Sequence, residues 1–212
     1  MSDAPSDDRN EQSSIDALVR GHLERSELEL ATTRTLEHYG PELFGFLRAI
    51  ARDDDLAAEA FALASERMWQ NLERFRWEAS LRTWVYQLAR NALYRLRRDP
   101  RRRASNNLPL SLVQSIEEVR RSPTEPYRRT EIKDMFRTLR ESLDPLDHEI
   151  LILRLDRSMS WKDIARSLAD EDTTDTVEQR AAAYRKRFER AKSQLRELAV
   201  THGLVGEPDN DN

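Results

Sequence analysis

Apolar residues recur along this chain at three- and four-residue spacing, which predicts amphipathic helices rather than strands. A first periodic stretch starts near Ile15 and is clear through Leu28, Leu30, Leu36 and Tyr39. Gly40-Pro41 is expected to end it, because proline has no amide hydrogen to donate and its ring clashes with the preceding turn. A second helix carries Leu43, Phe44, Phe46, Leu47 and Ile50. Asp53-Asp54-Asp55 opens a third, Leu56 to about Leu72, where acids oppose the positive end of the helix dipole. A fourth covers 81–98. At about 100° per residue, Leu81, Trp84, Val85, Leu88, Ala89, Ala92 and Leu96 share one face of it, and Arg82, Arg90, Tyr94 and Arg97 the opposite one.

Past Ser105 the pattern loosens. Asn106-Asn107, Pro109, Pro123 and Pro126 predict a linker with room for one short helix at Leu112 to Val119. Helical spacing returns with Ile132, Met135, Phe136, Leu139 and Leu143. Asp144-Pro145 reads as an N-cap followed by proline at the first helical position, ahead of Leu146, Ile150, Leu151, Leu153 and Leu155. Ser160 is a further cap, with Asp163 three residues on. The last helix reaches about Val200, with Tyr184, Phe188, Ala191, Leu195 and Leu198 on one side and Arg185, Lys186, Arg190 and Lys192 on the other.

These elements predict an all-α protein of two small helical bundles joined by a linker, the second with a helix-turn-helix outline. The expected boundaries are a weakly ordered segment at 1–23, bundles at 24–104 and 131–200 flanking a linker at 105–130, and a tail at 201–212. Residues 1–14 lack apolar periodicity and are expected to be disordered.

Only 5 glycines and 8 prolines among 212 residues, with 38% hydrophobic and 35% charged residues, favour helix over sheet. No apolar run approaches the roughly 18 residues that span a membrane, and the polar, acidic N-terminus is unlike a signal peptide, so a cytoplasmic location is expected. Cysteine is absent, which excludes disulfides and thiolate chemistry. Four scattered histidines and unclustered glycines give no support to an enzyme, a metal site or a cofactor.

The net charge of −4 hides an uneven distribution. Residues 1–80 hold 17 acids and 9 bases, whereas Arg82 to Arg103 holds eight arginines and one acid, Asp99. Such a cationic row would repel itself unless it met a polyanion, and guanidinium groups grip nucleic-acid phosphates through charge-assisted hydrogen bonds. Phe75, Trp77 and Trp84 bracket a short segment ahead of the row, and flat side chains beside cations are what unstacked bases pack against. Trp84 is expected in the core and Trp77 exposed.

The run F-R-W-E-A-S-L-R-T-W-V-Y-Q-L-A-R-N, followed by its arginine-rich tail, resembles the promoter-melting region of bacterial sigma factors of the extracytoplasmic-function type. L-D-P-L-D-H-E-I-L-I-L-R-L-D-R-S-M-S-W-K-D-I-A-R-S-L and F-E-R-A-K-S-Q-L-R resemble the part of the same family that reads the −35 element. The resemblance implies two partners, promoter DNA and core RNA polymerase. Phe75, Trp77 and Ser80 would belong to a base-capturing loop, with Arg90, Asn91, Tyr94, Arg97 and Arg98 as helix contacts near the −10 element. Ser160, Trp161, Lys162, Arg185, Lys186, Arg187 and Arg190 would serve the −35 element.

In that family the third helix docks on the polymerase β′ clamp helices, which makes Asp55, Glu59, Phe61, Glu66 and Trp69 the candidates here. Alanines stand where the family's acids would be. Sigma groups with such a depleted motif are associated with Ser/Thr kinases, and a phosphate on Ser65 would restore about −1.5 to −2 of charge. Control by an anti-sigma factor is the other regulatory expectation. Asp170 to Glu178 adds five acids and no base beside the −35-reading helix. Two readings compete with a sigma factor: a helix-turn-helix regulator acting without polymerase, and a helical adaptor. Arg90 and Arg97 tucked against protein carboxylates would favour a scaffold.

Overall fold

The structure, a computed structural model, describes residues 6–98, 142–170 and 174–201, and among these every regular element is helical. In order they are α1 (Ser6–Glu24), α2 (Leu28–Ala51), α3 (Asp54–Asn71) with a closing 3₁₀ turn (Leu72–Arg74), α4 (Leu81–Arg98), α5 (Pro145–Leu151) continuing into a wider π-helical turn (Ile152–Asp156), α6 (Trp161–Ser167) and α7 (Val177–Thr201). The all-α expectation holds. The expected linker 105–130, the short helix at Leu112 to Val119, the seam from Ile132 to Leu139 and the tail lie outside the described residues, as do 171–173 within the acidic insert.

Two compact units arise, one from residues 1–121 together with 162–174, the other from 122–161 together with 175–212. In the first, α2, α3 and α4 surround a core of Tyr39, Phe46, Leu47, Ala57, Met68, Leu72, Leu81, Val85, Tyr86 and Leu93. Asp53 caps α3 by accepting from the Leu56 amide at 2.8 Å, as its place before the apolar run implies. In the second unit, Asp144 caps α5 by accepting from the Leu146 amide at 3.0 Å, with Pro145 in the first turn.

Three helix boundaries differ from the sequence reading. The periodic stretch from Ile15 to Tyr39 is divided between α1 and α2 by a turn at 25–27, where Ser26 takes a φ of 58. α2 runs through Gly40-Pro41 without ending. The hydrogen bond lost at proline costs about 3 kcal/mol, and burial of Tyr39, Leu43, Phe44, Phe46 and Leu47 on both sides of it outweighs that. α1 begins at Ser6, not near Ile15, and so extends through most of the segment expected to be disordered. Buried Ile15 and Val19 anchor it, and once those turns are fixed each further residue adds one hydrogen bond without a new nucleus.

Candidate nucleic-acid interface

The segment between α3 and α4 is held by aromatic contacts and two caps. The Phe75 ring stacks on Trp84 at 4.9 Å and 26°, and meets Trp77 at 4.9 Å and a 54° tilt. Trp77 sits at φ 59, in the left-handed region that a bulky side chain rarely adopts. From α1, the Arg20 guanidinium lies 4.5 Å from the centroid of the Trp77 ring. Both tryptophans are half-buried, so Trp84 is less enclosed than a core residue. Ser80, expected in the base-capturing loop, caps α4 instead: its Oγ accepts from the Thr83 amide at 3.2 Å.

Asp16 of α1 supports the same helix start, accepting from the Leu81 amide at 3.4 Å. Burial pushes its carboxyl up from the ordinary range, against the lowering effects of that amide, Arg20 and His38. A carboxyl whose folded pKa is raised binds its proton more tightly folded than unfolded, so stability falls as pH rises from the unfolded value through the folded one. Asp16→Asn keeps an acceptor for the amide and removes the charge. It is expected to unfold at higher urea than wild type at pH 7, with the gap closing in acid; chemical denaturation at several pH values measures this.

The cationic row on α4 is not a free face. Arg82 forms a bidentate pair with Glu42 at 2.9 and 2.8 Å. Burial opposes its charge, but the hydrogen bonds and charge of Glu42 win and its pKa rises above the usual arginine value. Arg97 donates to the Ile50 carbonyl at 2.7 Å, at the negative end of α2. Arg90 is buried, with only 7% of its side chain exposed, and donates to Asp170 at 2.8 Å. Tyr94 lies under both cations, 4.4 Å from Arg90 and 5.4 Å from Arg97.

The expected division of α4 into two faces is therefore corrected. Tyr86 and Leu93 are buried, Leu88 and Trp84 only half so, and Arg90 lies inside. Asn91, Tyr94 and Arg97 are half-buried, leaving Arg98 and the unanticipated Arg95 exposed. The signal for Arg82 was Glu42, forty positions away, and that for Arg90 was eighty positions away, neither within reach of a local pattern.

Loop, aromatic cluster and helix thus belong to one unit, and their sequence can be compared with known families. Residues 35–103 match sigma-70 region 2. This match spans α2 from Thr35, all of α3, the aromatic loop and α4, about a third of the chain. α1, with Arg20 and Asp16, lies outside it. No curated protein matches the chain.

Within the region 2 segment, α3 presents some of the expected polymerase-docking residues and hides others. Asp55, Glu66 and Trp69 are exposed, Trp69 by 45%. Glu59 and Phe61 are buried; the Phe61 ring meets Phe44 edge-on at 5.7 Å and backs onto Gly40. As core residues these two are not offered to a partner. The half-buried Ser65 donates its hydroxyl to the Phe61 carbonyl at 2.9 Å.

In the second unit, Trp161 sits edge-on to Phe188 at 5.3 Å, with Arg154 and Arg185 at 5.1 and 5.8 Å from its ring centroid. Arg185, Lys186 and Arg190 are exposed on α7, as is Ser160; Lys162, also exposed, falls with the first unit. Arg187, expected at DNA, instead ties α7 to the start of α5 through Asp147 at 2.6 Å and Asp144 at 2.8 Å. A local capping signal marks the start of α7. Thr176 and Gln179 form a reciprocal capping box, the Thr176 amide donating to Gln179 at 2.8 Å and the Gln179 amide to the Thr176 hydroxyl at 3.2 Å.

These placements separate two kinds of arginine. Arg185→Ala and Lys186→Ala are expected to weaken DNA binding and flatten its salt dependence by about one unit of slope per lost phosphate contact. Arg187→Ala should instead lower unfolding stability by about 1.5–3 kcal/mol, because two carboxylates lose a charged donor. Salt titrations and urea melts of the three variants tell these outcomes apart.

Proposed function

We propose that this protein is a sigma factor of the extracytoplasmic-function type that directs core RNA polymerase to specific promoters from within the cytoplasm. The observation that carries the reading is the match of residues 35–103 to sigma-70 region 2, over the span that holds the aromatic loop. In this reading the ring of Trp77 traps an unstacked base of the −10 element, and Arg95 and Arg98 meet phosphates. α7 reads the −35 element as part of a helix-turn-helix, through Arg185, Lys186 and Arg190. Asp55, Glu66 and Trp69 meet the polymerase clamp, and a Ser/Thr kinase acting on Ser65, or an anti-sigma factor, sets when they do so. The chemistry of RNA synthesis belongs to the polymerase.

Gel filtration of the purified protein with core polymerase, followed by transcription from genomic fragments, tests the reading. Co-elution together with new start sites supports it. DNA binding with no polymerase association would support the stand-alone regulator, and neither activity the adaptor. Polymerase binding that is unchanged by both Ser65→Ala and Ser65→Asp removes the kinase element.

A further inference from the structure

One turn of α1 reaches the aromatic loop at two points. Asp16 and Arg20 stand at i and i+4, so they share a face of that helix. Asp16 accepts from the Leu81 amide at 3.4 Å, where the loop enters α4, and the Arg20 guanidinium lies 4.5 Å from the centroid of the Trp77 ring. Buried Ile15 and Val19 fix this stretch of α1 to the bundle, while Arg20 itself is exposed.

The loop needs such a hold. Its backbone is tied at either end, the Phe75 amide donating to the Leu72 carbonyl at 3.1 Å and the Trp84 amide to the Ser80 carbonyl at 3.2 Å. Between these ties Trp77 takes φ 59, where a non-glycine residue stays only if its surroundings keep it there. Two contacts bear on its ring. Phe75 meets it at 4.9 Å and is itself stacked on Trp84 of α4, and Arg20 meets it from α1. Its chain neighbours Arg76 and Glu78 are exposed and 3.9 Å apart, a setting in which an ion pair adds little rigidity.

We infer that Arg20 is a positioning residue for strand opening: its guanidinium holds the indole of Trp77 in the orientation in which a base stacks on it. The inference rests on the sigma-factor reading of the loop and extends it to a side chain that lies before residue 35, where the match to sigma-70 region 2 begins. A guanidinium suits the task. It is drawn to the negative face of an indole, and being planar and weakly hydrated it keeps that contact with less loss of solvation than an ammonium. A ring fixed before DNA arrives does not have to be ordered when the base is captured. Without Arg20 the bundle stays folded, but a smaller fraction of loops is ready to accept a base.

The test uses the full-length protein. Labelling with 5-fluorotryptophan gives fluorine signals for Trp69, Trp77, Trp84 and Trp161, and Trp77→Phe identifies that of Trp77. Arg20→Ala is expected to shift or broaden the Trp77 signal and to leave those of Trp69 and Trp161 in place. In parallel, opening of a promoter fragment found by transcription from genomic fragments is timed with core polymerase by 2-aminopurine fluorescence. Arg20→Ala should slow opening about two- to fivefold, the size of an exposed cation–π contact. In a protein that already carries Trp77→Gly it should cause no further slowing.

An unmoved Trp77 signal, opening at the wild-type rate, or an equal loss in the Trp77→Gly background would overturn the inference. The last result would mean that Arg20 acts on DNA without the ring. Failure of wild-type protein to open any fragment, with a Trp77 signal that still responds to Arg20→Ala, sinks the sigma-factor reading and leaves the hold of Arg20 on the ring standing.

Discussion

Trp77→Gly is expected to reduce strand opening sharply while leaving the first unit folded. At φ 59 the backbone of residue 77 is strained for tryptophan by about 1–3 kcal/mol and relaxed for glycine, so the substitution gives back some of what the lost ring contacts remove. Stacking of one base on an aromatic ring is worth about 1–3 kcal/mol, and its loss should reduce opening by about 10- to 100-fold. Fluorescence of a 2-aminopurine placed in the non-template strand reports opening, and a urea melt reports the fold. A variant that is fully folded and opens DNA normally would mean that this ring does not hold a base. Strain retained at a half-exposed aromatic residue is hard to explain by packing alone, which is why this substitution is more informative than truncation of Phe75, whose ring stacks on Trp84.

Phe46→Ala should have the largest effect on stability, about 3–5 kcal/mol. Phe46 is 1% exposed and its ring lies 5.0 Å from that of Tyr86, so it joins α2 to α4. Against the roughly 5–15 kcal/mol that holds a domain together, this is a large share. Urea unfolding followed by circular dichroism measures it. A loss below about 1 kcal/mol would mean that the surrounding helices close the cavity.

Where a helix starts was largely readable, because caps are local: Asp53 and Asp144-Pro145 do in the structure what their spacing implies. Where a helix continues was less so. Pro41 is a breaker by its own chemistry and is overruled by the burial of five large neighbours, which only the packed bundle reveals. The candidate site divides in the same way. The aromatic loop was visible as Phe75, Trp77 and Trp84, since rings beside cations stand out in any sequence. The state of the cations was not, because each depends on a distant partner: Glu42 for Arg82, the Ile50 carbonyl for Arg97 and Asp170 for Arg90. Helical periodicity assigned all three to one solvated face. It could not see that Asp170, an acid of the insert, lies against Arg90.

Arg90 against a carboxylate meets half of the arrangement that would favour a scaffold; Arg97 meets a backbone carbonyl instead. The sigma-factor reading survives it only if the protein, once bound to polymerase, still separates the strands. Permanganate reactivity of thymines on a promoter fragment, with core polymerase and with or without this protein, is the direct measurement. The account predicts new reactive thymines around the −10 element only when both are present, and their loss with Trp77→Gly. Polymerase that binds the protein and the fragment yet leaves every thymine stacked would contradict it.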